Sequence, residues 1–162
     1  MDMAKTDEEF AESLMESRDA VFAVAKWLHK KDYDLFIPRI VLRPKYAKAD
    51  DYVDDGDIHM TKAGATHKVN VKGHPNLKFT DTYWPFKYVL VSSKRFVDLK
   101  GDDIGYYMSV SGDFKYVAVT NRAKTKDAWF LVTYYNKYSR QQETAYACPT
   151  DLVKFFRIEG DE

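Results

Sequence analysis

Two stretches of strict alternation constrain this chain more than any other feature. In Asp57-Ile58-His59-Met60 and in Lys68-Val69-Asn70-Val71-Lys72, apolar residues recur at every second position. A period of two is the signature of a β-strand, with successive side chains on opposite faces. A polar connection containing Gly64 joins the two stretches, so they are expected to form a hairpin. Val69 and Val71 then share one face of the second strand, and Lys68, Asn70 and Lys72 share the other. A hairpin that brings Asp57 beside them sets an acid, an amide and an ammonium close together. That combination suits a divalent cation and a phosphodiester.

The rest of the chain is expected to scaffold this hairpin. Its 162 residues suit one domain with a real core, and a hydrophobic content of 45% argues for a folded protein. Cys148 is the only cysteine, which excludes an internal disulfide framework and fits a reducing cytoplasm. The N-terminal stretch is acidic and polar, unlike a signal peptide, and no apolar run is long enough to span a bilayer. Net charge is zero, yet residues 61–140 hold 14 basic and 6 acidic side chains, with acidic segments on either side. A basic segment of this kind is a candidate nucleic-acid footprint.

Residues 6–31 read as one long helix. Thr6 and Glu9 have capping-box spacing, and Phe10, Leu14, Val21, Val24, Ala25 and Leu28 form an apolar stripe. A strand is expected over residues 33–43, at a sheet edge because Pro38 has no N–H for a ladder. Gly73-His74-Pro75-Asn76 is a break, and an aromatic stretch from Phe79 to Phe86 follows. Tyr88-Val89-Leu90-Val91 reads as a central strand, with Ser92-Ser93-Lys94-Arg95 just past its end. The remainder is strand-rich. Tyr106–Val110 and Lys115–Val119 flank a Ser111-Gly112-Asp113 turn, Ala128–Tyr135 is a third strand after the basic loop Arg122–Lys126, and Thr144–Cys148 is a fourth. Pro149–Phe156 reads as a short terminal helix.

Gly56-Asp57-Ile58 followed by Val69-Asn70-Val71-Lys72-Gly73 resembles the core of the PD-(D/E)XK nuclease superfamily. There, an acid and a spacer precede an acid-x-lysine strand. Asn70 stands at the position of the second acid. The order of helix, strand and acid-bearing hairpin also matches the family's opening, over roughly residues 8 to 95. The resemblance implies a restriction-endonuclease-like α/β fold, with the long N-terminal helix packed on a mixed central sheet. It implies hydrolysis of phosphodiester bonds with Mg²⁺ or Mn²⁺. Asp57 would be the metal ligand, Asn70 a neutral ligand joined by the backbone carbonyl of Val71, and Lys72 the catalytic lysine that orients the nucleophile. One carboxylate is thin for a cation that dehydrates reluctantly. A second is sought from Asp55 in the preceding loop, from Asp81, or from the first helix at Asp19 or Glu16. Gln142 and Tyr146 also match a Gln-x-x-x-Tyr pattern found downstream in one nuclease branch of the superfamily.

The expected partner is nucleic acid, DNA first, with Lys68, Lys94, Arg95 and Lys124 as phosphate contacts. Lys94 and Arg95 earn that place by lying past a central strand end. A homodimer is compatible with the sequence, and a small chain rich in tyrosine and lysine suits a phage protein acting in a host cytoplasm. Two other readings stay open. One is a non-catalytic nucleic-acid-binding module that stacks bases on Tyr83, Trp84, Tyr134, Tyr135 or Tyr138. The other is a protein inhibitor that uses the nuclease-like fold only as a scaffold. His59, His67 and His74 are too scattered for a zinc signature, and no phosphate-binding glycine loop or nucleophile elbow occurs. Cys148, in an apolar strand context, is expected in the core.

Overall fold

In the computed structural model, which describes residues 18–38, 56–136 and 140–159, the chain opens with helix α1 (Arg18–Lys30). Ala20, Val21, Val24, Ala25 and Leu28 form its buried stripe. The helix ends in a Schellman-type cap: Tyr33 N–H donates to Leu28 O at 3.2 Å and Asp32 N–H to His29 O at 3.0 Å, with Asp32 at φ 68°. The helix expected over residues 6–31 is thus present from Arg18. Thr6, Glu9, Phe10, Leu14 and Glu16 lie outside the described residues.

Strand β1 (Asp34–Phe36) pairs with β2 (Ile58–Lys62), and β2 pairs with β3 (Ala65–Gly73), both antiparallel. Of the strand expected over 33–43, β1 covers three described residues; it ends before Pro38 and lies at the edge of the larger sheet. Residues 39–55 lie outside the described residues. The β2–β3 turn is two residues, Ala63 and Gly64, with φ 52° and 80°. Positive φ at both positions gives the turn that matches the twist of a tight hairpin.

The chain continues through β4 (Tyr88–Ser93), α2 (Lys94–Lys100), β5 (Ile104–Val110), β6 (Tyr116–Asn121), α3 (Arg122–Thr125), β7 (Phe130–Asn136), β8 (Gln141–Pro149) and β9 (Lys154–Arg157). Two sheets result. The larger has the order β1-β2-β3-β5-β6-β9 and is mixed, because β3 and β5 run parallel while its other pairs are antiparallel. The smaller has the order β4-β8-β7. The architecture is α/β with a mixed multi-strand sheet, few helices and a strand-rich C-terminal half.

Each face of the larger sheet has its own core. Val69 and Val71 on β3, with Ile58, Met60, Met108 and Val110, pack under α1. Gly73 lets the helix approach: a Cβ there would lie 3.1 Å from that of Ala20. On the opposite face, Ile104, Tyr107 and Ala118 meet Val89, Val91, Val97 and Cys148 from the smaller sheet and α2.

Three sequence expectations are corrected. Tyr88–Val91 is not central in the main sheet; β4 is the edge of the smaller one, with Val89 and Val91 buried and Tyr88 and Leu90 exposed. Arg122–Lys126 is not a loop, because the Asn121 side chain caps α3 by accepting Lys124 N–H at 3.3 Å. Pro149–Phe156 is not a helix. After one tight turn at Thr150–Leu152, β9 pairs with β6. Phe155 and Phe156 point to opposite faces and enter different cores, so a strand buries both where a helix would strand one.

Gly56 leads the chain into β2 from a buried position with φ 86°, and a Cβ there would meet Ile104 Cδ1 at 3.4 Å. Left-handed backbone costs an L-residue about 1–2 kcal/mol. Gly56→Ala should therefore lower unfolding stability by about that amount in urea titration. A change within error of zero would show that this backbone is not held as described.

Candidate functional site

Asp57 precedes β2 and docks it on β3. Its N–H donates to Val69 O at 2.8 Å. Its carboxylate Oδ2 then accepts the Val71 N–H at 2.6 Å and Asn70 Nδ2 at 3.4 Å. Ile58 faces Val69 in register, so β2 has turned away before it can supply a backbone acceptor for Val71. The Asp57 side chain supplies it instead. A hydrogen bond to an ionised group is worth about 1.5–3 kcal/mol.

Asn70 is 7% exposed, and its Oδ1 is buried without a hydrogen-bond partner. Beside it in register on β5 stands Tyr107, whose hydroxyl is likewise buried and unpartnered. Burial pushes the Tyr107 phenol up to about 12, against an opposing pull from Arg122. Lys72 shares the Asn70 face by alternation and stands opposite Ser109. His74 follows. Burial, and then the nearby Lys72 charge, hold its imidazole down to about 4, so it is neutral near pH 7.

The sequence reading placed Asp57, Asn70 and Lys72 together, and the structure brings Asp57 onto Asn70 with Lys72 on the same strand face. Val71 meets Asp57 through its N–H. Asn70 turns its amide nitrogen, not its oxygen, toward the carboxylate, because a carboxylate only accepts hydrogen bonds. As they stand, these residues do not fit Mg²⁺ or Mn²⁺, which need oxygen ligands converging on one point. Among the described residues, no three of His, Cys, Asp and Glu gather to hold a metal. Asp19 and Asp81 are exposed, and Asp55 lies outside the described residues.

The expected phosphate contacts are dispersed. Lys68 pairs with Asp103 at 3.2 Å. Lys94 pairs with Asp98 at 2.6 Å, and Asp98 also accepts the Tyr146 hydroxyl at 2.8 Å. Those two hydrogen bonds, Lys94 first, hold the Asp98 carboxyl below its ordinary value. Tyr146 of the Gln-x-x-x-Tyr pattern therefore serves α2. Arg95 and Lys124 are exposed on α2 and α3. Of the stacking candidates, Tyr83 and Tyr135 are exposed, and Tyr138 lies outside the described residues. Cys148 is fully buried, as expected, and burial pushes its thiol up.

Sequence reasoning missed a cavity of about 260 Å³ lined by His74, Leu77, Trp84, Phe86, Tyr88 and Ser109 among others. Its signal was available: a histidine directly after the Asn-x-Lys strand, followed by the aromatic stretch. Compared with protein-family models, curated proteins and solved structures, the chain matches none of them. Among the described residues, no helix is long and apolar enough to cross a membrane.

The His74 shift sets a pH dependence. Unfolded, the imidazole protonates near its ordinary 6.5; folded, near 4. Between these values the unfolded chain binds the extra proton, so stability falls as pH drops from 6.5 toward 4 and levels off below. The full loss is on the order of 3 kcal/mol. Denaturation midpoints from pH 7 to 4 should fall less steeply in His74→Gln. Parallel curves for both proteins would contradict this assignment.

Proposed function

We propose that this chain is a nucleic-acid-binding domain on the PD-(D/E)XK plan, with a hydrolytic centre weakened by Asn70. The observation that carries the reading is the meeting of the Asp57 carboxylate with Asn70 and Val71, on the strand whose next outward residue is Lys72. The order of α1, β1 and an acid-bearing hairpin supports the restriction-endonuclease-like assignment, as does the mixed sheet.

The chemistry follows from the donors present. The Lys72 ammonium attracts a phosphate oxygen of the backbone. Val71 N–H and Asn70 Nδ2 both donate to the Asp57 carboxylate. With an amide in place of the second acid, the site is one negative charge short of what a divalent cation needs. The wild-type protein binds DNA or RNA, and its cleavage of either is negligible.

Asn70→Asp tests this with little change of shape. It sets a second carboxylate against Asp57, a like-charge pair that is costly without a cation. The variant should melt several degrees below wild type in chelator, recover with Mg²⁺ or Mn²⁺, and cleave labelled DNA at least about tenfold faster than wild type. Lys72→Ala in that background should abolish cleavage. An Asn70→Asp protein whose melting ignores both metals, and which does not cut, would sink the assignment.

A further inference from the structure

We propose that β7 is a docking edge for a second copy of this chain, and that two copies pair antiparallel along it about a two-fold axis at Thr133. The pairing makes no use of the site at Asp57 and stands apart from the nucleic-acid reading above.

An edge strand turns alternate N–H and C=O groups outward, where they can pair with another chain. Proteins blunt such edges with short strands, charged residues, bulges or covering side chains. The other three edges of the two sheets carry these devices. β1 has three residues and starts at Asp34. β9 has four and carries Lys154 and Arg157 at its ends. β4 has a register shift between Leu90 and Ser92, and Trp84 Nε1–H occupies the Tyr88 carbonyl at 3.0 Å. β7 differs on each count. It runs seven residues in continuous register with β8, and its sequence contains neither a charged residue nor a proline. Among the described residues it is the last strand of its sheet. Leu131 and Tyr135 are 50% and 59% exposed, and Thr133 between them is exposed as well.

The order of residues in β7 selects a second copy as the occupant. In a two-fold antiparallel pair centred on Thr133, the whole strand is matched with itself. Thr133 of one copy faces Thr133 of the other. Leu131 of each copy faces Tyr135 of the other, and Val132 faces Tyr134. Threonine pairs and aromatic–β-branched pairs are favourable across strands, and no like charges are opposed. Leu131, Thr133 and Tyr135 share a face by alternation, so each exposed leucine covers an exposed tyrosine. A two-fold centred on any other residue leaves an unpaired overhang at each end. The contact uses the same edge on both copies, so assembly closes at the dimer. Two three-stranded sheets then become one continuous sheet.

The test is sedimentation equilibrium of the full chain from low micromolar to about millimolar concentration. Wild type should pass from monomer to dimer and no further. Thr133→Lys and Thr133→Glu each set two like charges face to face on the axis, and each should weaken dimerisation at least about tenfold. Thr133 is exposed, so both variants should melt close to wild type. An equimolar mixture of the two should regain the dimer, because lysine then faces glutamate. In wild type alone, amide hydrogen exchange along β7 should slow as concentration rises. Wild type that stays monomeric throughout, or grows beyond a dimer, overturns the pairing. So does a dimer whose β7 exchange ignores concentration, or one that both variants form as readily as wild type. Variants that stay monomeric when mixed overturn the two-fold at Thr133.

Discussion

The hydrogen bond from Val71 N–H to the Asp57 carboxylate is the contact on which the arrangement depends. It replaces a backbone acceptor at the point where β2 begins, and so extends the β2–β3 pairing by one step. Gly56 delivers the chain to that point in a backbone conformation that disfavours a side chain. β3, held on one edge by β2 and Asp57, pairs on its other edge in parallel with β5. That parallel pairing requires a crossover, and the crossover carries β4 and α2 onto the face opposite α1. One carboxylate therefore fixes the strand from which both cores are built.

β3 also lies at a border. Its Val69 and Val71 side is closed by α1, while its Lys68, Asn70 and Lys72 side runs from the covered core to open surface. Asn70 is buried, and its neighbours on that face are only partly so. A polar group at such a border meets the lowered dielectric of the core and still faces solvent-borne ligands. The basic excess of residues 61–140 matters less than its sum suggests, because Lys68 and Lys94 already answer Asp103 and Asp98.

Alternation made the hairpin legible, including which residues of β3 share a face and the approach of Asp57 to Asn70. It could not give the amide's orientation, which depends on Asp57 being an acceptor with two N–H donors in reach. Patterns shared by both periodicities misled. Leu152, Val153, Phe155 and Phe156 fit a helical stripe, yet Phe155 and Phe156 serve two cores from a strand and Leu152 stays exposed. Tyr88–Val91 reads as an unbroken apolar run, which hides that Tyr88 and Leu90 stay exposed. The cavity was hidden for a different reason. Ser109 and His74 are 35 positions apart and meet only through the β3–β5 pairing, a contact that no local pattern encodes.

The most direct test of the Asp57 claim is the amide spectrum of ¹⁵N-labelled wild-type protein. A short N–H···O⁻ bond deshields its proton. The Val71 amide should therefore lie at the downfield edge of the spectrum, move upfield in Asp57→Ala, and hold its position through a Mg²⁺ titration. A Val71 resonance at an ordinary strand shift, unmoved by Asp57→Ala, would contradict the account. So would one that Mg²⁺ displaces at micromolar concentration, since the carboxylate would then serve a metal in the wild-type protein.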